Sequence, residues 1–405
     1  MNKIYLFIVI VLTSISYAQT AENFIKSGLL KDDVEDFNGA ILDYTKAIKI
    51  SPTNKKAFFY RGLSKANIED YAAAILDFTK AIELDASYGV SYIKRGICKA
   101  KIDDYEGSIT DFTEALKIDP KDYESYAFRA YSKGLLGDYS GSVADLDKAI
   151  DLNPVFYSYD YYCRGLSKQL SNDYAGAIID FSKVIESNQN ISNSYFKRGL
   201  CKAKLDDFSG SLLDYDKAIE IDPTDDANFY HRGFSKLVLE DFNGAISDFT
   251  KAIEINPNDA ETYYHRGSSK SYIEDFKGSI ADYTKAIEID PTNPNSYFNR
   301  AVSKDRTEDY KGAVEDYTKA LEINPDDAYT YFNRGLSTSN LEDFAGAIND
   351  YDIAIEKDPA NSDFYLSRGL AKINLDEFDG GCIDLNKAKE LGNVQAPEFV
   401  KEYCE

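Results

Sequence analysis

The sequence predicts an all-α chain, an α-solenoid of stacked helical hairpins, and three observations predict it. The first is a period. Gly62, Gly96, Ala130, Gly165, Gly199, Gly233, Gly267, Ala301, Gly335 and Gly369, each preceded by Arg, follow one another at 34 residues, with one 35-residue step from Ala130 to Gly165. Gly28, preceded by Ser27, extends the series upstream, which makes eleven units. The second is helical spacing: Phe276, Ile280, Tyr283 and Ile287 form one stripe of a 3.6-residue helix. The third is punctuation. Asp275 is a good N-cap for that helix, and proline recurs at one place in eight units, from Pro52 to Pro359, where it stops the next helix from running backward. A hairpin of this size cannot bury its apolar face alone, so neighbouring units must stack.

Taken in order, residues 1–18 read as an export signal: Lys3 is the positive flank, Ile4 to Leu12 the apolar run, and Ser16 and Ala18 the small residues before a cleavage site. Nine apolar residues are too few for a hydrocarbon core that needs about 20. The mature chain is therefore expected to start at Gln19 and to have no membrane span after cleavage, which places the protein in a periplasm or outside the cell. Eleven repeats are expected over residues 21–395, with starts near 21, 55, 89, 123, 158, 192, 226, 260, 294, 328 and 362, followed by a tail or cap at 396–405.

Composition limits the function. With 46 Lys and Arg against 69 Asp and Glu, the net charge of −23 disfavours nucleic acid or an anionic membrane as partner. Residue usage is biased in the way a copied unit demands, with 32 Tyr and 23 Phe beside two His, one Met and no Trp.

Numbering each unit from 1 to 34, every unit has an aromatic at place 4 (Phe24, Phe58 and so on to Tyr365) and a small residue at place 20 (Ala40 to Gly381). With the small residue at place 8 and the proline near the unit's end, this pattern resembles the tetratricopeptide repeat (TPR) family over about 375 of the 405 residues. The resemblance implies a right-handed superhelix of helix-turn-helix hairpins. Two departures recur. The family's usual Leu at place 7 is Arg in ten units, and its usual Tyr at place 11 is Lys in ten units, with Thr338 in the other. Asp stands at place 23 in all eleven units, from Asp43 to Asp384. Arg and Lys four residues apart on one helix face would repel unless an acid lay between them, so a ladder of charge-assisted bonds to place 23 is expected.

No catalytic constellation is found: there is no zinc-protease pair, phosphate loop or nucleophile elbow, so the chain is read as a non-enzyme with no metal and no cofactor. His231 and His265 occupy one place in adjacent units and read as surface or inter-repeat side chains. Segments such as Glu35 to Gly39 look superficially like a calcium loop but lack its bidentate Glu, and their Gly falls near the inter-helix turn. Of five cysteines, Cys382 and Cys404 either bridge and pin the tail or remain two buried thiols.

In the resembling family the first helices line a concave groove, with places 2, 5, 9, 12 and 13 touching bound peptide. At place 5 the candidates here are Phe59, Ile93, Tyr162, Phe196, Tyr230, Tyr264, Phe298 and Phe332. These side chains are either an exposed groove or inter-repeat core. The Lys and Asn that clamp a chaperone's C-terminal carboxylates are missing from places 5 and 9, which rejects that partner. The expected function is an exported, non-enzymatic scaffold for protein or peptide binding. The alternative is a structural or assembly component of a bacterial cell-envelope complex acting through its ends or convex face.

Overall fold

The computed structural model describes residues 20–153, 158–188 and 191–405. The expected export segment, residues 1–18, lies outside these. The described chain is all-α, without strands, and falls into two compact bodies divided after residue 190.

The N-terminal body contains α1 (Ala21–Asp32), α2 (Phe37–Ile50), α3 (Lys55–Asn67), α4 (Tyr71–Leu84), α5 (Gly89–Lys101), α6 (Tyr105–Ile118), α7 (Tyr123–Leu135), α8 (Tyr139–Leu152), α9 (Ser158–Leu170) and α10 (Tyr174–Glu186). The C-terminal body contains α11 (Ile191–Lys204), α12 (Phe208–Ile221), α13 (Asp226–Val238), α14 (Phe242–Ile255), α15 (Ala260–Tyr272), α16 (Phe276–Ile289), α17 (Pro294–Asp305), α18 (Tyr310–Ile323), α19 (Ala328–Asn340), α20 (Phe344–Lys357), α21 (Ser362–Asn374), α22 (Phe378–Glu390) and α23 (Ala396–Tyr403). Consecutive helices pair as antiparallel hairpins, and within each body the second helix of one hairpin packs against the first helix of the next. Each body is thus a stretch of α-solenoid.

The turn inside each hairpin is made by backbone geometry. Place 15 lies in the left-handed region in every unit, at φ 61° in Glu35, 63° in Glu274 and 82° in Gly137. Place 16 then caps the second helix: the Asp275 carboxylate accepts from the Gly278 N–H at 3.0 Å, and Asp does the same in ten units. The glycine of the Glu35–Gly39 segment is therefore inside α2, and the turn residue is Glu35.

The core of each hairpin is one large side chain at place 24 of the second helix. Tyr44, Phe78, Phe112, Leu146, Phe181, Tyr215, Phe249, Tyr283, Tyr317, Tyr351 and Leu385 are all essentially inaccessible to solvent. The small residue at place 8 makes room for it. A Cβ on Gly335 would come within 2.6 Å of the Tyr351 ring, and one on Gly62 within 2.8 Å of Phe78. At the C-terminal end α23 takes the position of a next first helix. It buries Ala396 and Val400 against Leu366, Ile373 and Leu385, and a disulfide joins Cys382 to Cys404.

Candidate functional site

Arg at place 7 binds Asp at place 23 in each of ten hairpins. In α15/α16 the Arg266 Nε–H donates to Asp282 Oδ2 at 2.9 Å and Nη2 donates to Oδ1 at 2.7 Å. Lys270 reaches the same carboxylate at 2.8 Å. The guanidinium also lies over the place-4 ring, with the Arg266 Cζ 5.5 Å from the centre of Tyr263. Its remaining nitrogen reaches back one repeat, where Arg266 Nη1 donates to Thr250 Oγ1 at 3.1 Å. Arg164, Arg232 and Arg368 make that backward bond to Asp147, Asp216 and Asp352 instead. One side chain thus ties the two helices of its hairpin and links them to the previous hairpin. In the first unit, without Arg, Asp43 is held by Ser27 at 2.8 Å, Lys31 at 2.6 Å and Lys46 at 3.0 Å. Burial pushes this carboxyl up, but these hydrogen bonds outweigh it and hold it at about 2. Among the described residues, the Arg and Lys of this network are occupied by its Asp carboxylates.

The place-5 side chains have two roles at once. Tyr162, Phe196, Tyr230, Tyr264, Phe298 and Phe332 pack their edges on the buried place-24 ring of their own hairpin, with centroids 5.6–6.0 Å apart. Phe59 does so on Phe78 and is itself buried, at 8% exposure. Ile93, Tyr162, Phe196, Tyr230, Tyr264, Phe298 and Phe332 are half-buried. They are therefore the rim of the core, with one side packed and the other open.

Place 6 covers the next interface. His231 stacks on Tyr215 and His265 on Phe249, as Phe128 stacks on Phe112 and Tyr60 on Tyr44. Burial pushes His231 down to about 4 and lowers His265 as well, although Glu261 opposes the fall. Both are inter-repeat packing groups. Cys98 and Cys201 are buried free thiols, pushed up by burial to about 11 and about 12. Among the described residues, no group of three or more His, Cys, Asp and Glu is placed to hold a metal ion. No described helix is long and apolar enough to cross a membrane.

In the N-terminal body, α5 to α9 line an open cavity of about 590 Å³ that includes Glu124 and Tyr159 at place 2, Ala127 at place 5, and Ile97 and Tyr131 at place 9. It exists because the repeat changes there. Place 5 is Ala127 where most units have an aromatic, and place 24 is Leu146 where the unit before has Phe112 and the unit after has Phe181. Six rings line the gap, and three of them, Phe128, Tyr131 and Tyr159, are 40%, 45% and 63% exposed. The sequence carried the signal in this pair of small residues, but alignment by place alone does not show that they face one space.

Comparison with known proteins bears on the whole array. Models described as "Tetratricopeptide repeat" match residues 90–122, 123–156, 192–225 and 229–259, and those described as "TPR repeat" match 273–304 and 307–338. No curated protein matches the chain in sequence. Among solved structures, the C-terminal part of a TPR repeat-containing protein from Cytophaga hutchinsonii has a TM-score of 0.52 and 18% identity. That match covers 59% of this chain and 97% of the other. YrrB, a TPR protein with an unusual peptide-binding site, has a TM-score of 0.43 and 20% identity over 46% of this chain and 97% of its own. MamA from Desulfovibrio magneticus has a TM-score of 0.41 and 16% identity over 42% of this chain and 97% of its own. The first of these likenesses shows the fold. Family and fold together support a protein-interaction scaffold. The chain is a tetratricopeptide repeat protein.

Proposed function

We propose that this protein is an exported, non-enzymatic scaffold that binds a protein or peptide along the first-helix faces of its two bodies. The observation that carries the reading is a division of labour within each unit. Places 7 and 23 repeat almost without change, place 24 is always a large buried Tyr, Phe or Leu, and all three are spent on the hairpin, whereas places 2, 5, 6 and 9 vary in kind and most keep part of their surface open. Packing that must repeat is constant, and contacts to a partner are what can vary. Rigid half-exposed aromatics are suited to peptide recognition because they offer contact area at small entropic cost. The likeness to YrrB, described as having a peptide-binding site, points the same way without carrying the argument. The reading of the N-terminal residues as a signal supports export to a periplasm or to the outside. The alternative role in a cell-envelope assembly through end contacts is less well supported, since α23 covers the last hairpin's apolar face.

The test is partner capture from the native envelope by the mature chain and by a Tyr230→Leu, Tyr264→Leu, Phe298→Leu variant. Leu keeps most of the buried volume while removing the exposed rings. A partner captured by the first and lost by the second, with both folded by circular dichroism, supports the reading. A partner retained equally by both contradicts it. Separately, immunoblotting of cell fractions that finds the unprocessed chain in the cytoplasm contradicts export.

A further inference from the structure

We propose that the cavity between α5 and α9 is a receptor for an arginine side chain of a bound peptide, with Asp160 as its carboxylate and Tyr131 and Tyr159 as its aromatic faces. The proposal rests on the first-helix face being the binding face and adds the chemistry of one ligand residue to it.

Asp160 stands at place 3, where no other unit has a charge. At place 3 the neighbouring units have Ser91, Ser125, Ser194, Asn228 and Thr262, all buried. Asp160 lines the cavity and is half-buried, and among the described residues no Lys, Arg or donor side chain is paired with it. Its charge is felt by Tyr159 and Cys163 on the same helix. Burial alone pushes the Asp160 carboxyl up. Asp160 is in the first turn of α9, where the helix N-terminus favours its charge, but among the described residues it has no side-chain counter-charge, and a cation entering the cavity offsets what burial costs.

The same molecule shows which cation such a setting takes. In ten hairpins a guanidinium sits over a tyrosine or phenylalanine ring, with its Cζ 5.2–5.8 Å from the ring centre, and binds an aspartate with two nitrogens. The cavity offers the aspartate and the rings without the guanidinium. Arginine suits it better than lysine because a planar fork can stack and bond bidentately at once. Acidic Asp103 and Glu124 outweigh Lys101 at the rim, and the chain's net charge of −23 would steer a basic segment toward it. At about 590 Å³ the cavity is of ordinary ligand size. It has room for an apolar side chain beside the arginine, against Ile97 and Leu146.

The experiment is selection from a random heptapeptide library on the mature full chain and on Asp160→Asn and Ala127→Leu variants, all checked for fold by circular dichroism. The strongest selected peptide is then titrated by fluorescence polarisation as synthesised and with citrulline in place of arginine. The proposal expects arginine-enriched peptides from the wild-type chain. It also expects a loss of roughly tenfold or more in affinity from citrulline and from Asp160→Asn, equivalent to about 1.4 kcal/mol, and loss of selection by the cavity-filling Ala127→Leu. Selected peptides without arginine enrichment, or binding indifferent to both variants, overturn the arginine site and leave the binding face standing. If no peptide is selected by any chain, both readings fall.

Discussion

Hairpins α7/α8 and α15/α16 are copies of one pattern that end differently. In the second, Tyr264 packs on Tyr283 with centroids 5.7 Å apart. In the first, Ala127 and Leu146 stand at the equivalent places and a cavity opens. Yet the ion pairs behind the two faces are the same: Arg129 bonds Asp145 at 2.6 and 2.8 Å, and Arg266 bonds Asp282 at 2.7 and 2.9 Å. The ion pairs of the constant part keep their geometry where the aromatic packing changes. That independence lets one unit give up aromatic packing and present a pocket.

The sharpest way to break this comparison is to remove the constant part. Asp282→Ala leaves Arg266 and Lys270 facing each other without their acid, and is expected to cost about 3–5 kcal/mol. Urea unfolding followed by circular dichroism measures it. Lys270→Thr should cost much less, because Thr338 already occupies that place opposite Asp350 while Arg334 bonds it with two nitrogens.

Next is the variable part. Tyr283→Leu copies the place-24 leucine into the second hairpin and is expected to lose about 1–3 kcal/mol to the space it leaves. Leu146→Phe, the reverse change at the cavity, is expected to shift stability by less than about 1.5 kcal/mol. Equal and large costs in both hairpins would mean that the cavity region is as tightly packed as its copy.

A third test uses acid. His231 is held at about 4 instead of the ordinary 6.5, with burial as the leading cause. A folded value below the unfolded one means that the unfolded chain binds the proton first. The stabilisation is therefore fully present above about 6.5 and is lost as pH falls toward 4, by up to about 3 kcal/mol. His231→Phe copies the Phe128 stack and should flatten the pH dependence of the C-terminal body in that window. An unchanged slope would place the titrating group elsewhere.

The smallest effect is expected at the turn. Glu274, at φ 63°, occupies the position that Gly137 fills in α7/α8. Glu274→Gly should raise stability by up to about 1 kcal/mol where relief of the left-handed strain exceeds the added freedom of the unfolded chain, read as a shift in the urea midpoint.

What the sequence disclosed follows from what repetition records. Arg at place 7, Lys at place 11 and Asp at place 23 recur so regularly that their pairing could be reasoned from like-charge repulsion alone, and the structure has those bonds. Asp275 as a cap was equally legible, because capping is local. The left-handed residue was not. Glycine at place 19 falls near the turn, but the backbone reverses four places earlier, at place 15, where six of the eleven units have Glu, a residue that carries no strong turn signal. For Tyr230, Tyr264 and Phe298, groove or core was a false choice, since one ring can pack an edge inward and leave a face outward. The cavity depends on Ala127 and Leu146 meeting across two helices, a tertiary fact that periodicity does not contain.

The most direct test of the account is hydrogen–deuterium exchange of the mature chain with and without its selected peptide. The account predicts new protection on the first helices, led by α5, α7 and α9, with the second helices unchanged. Protection confined to the second helices or to α23 would contradict it.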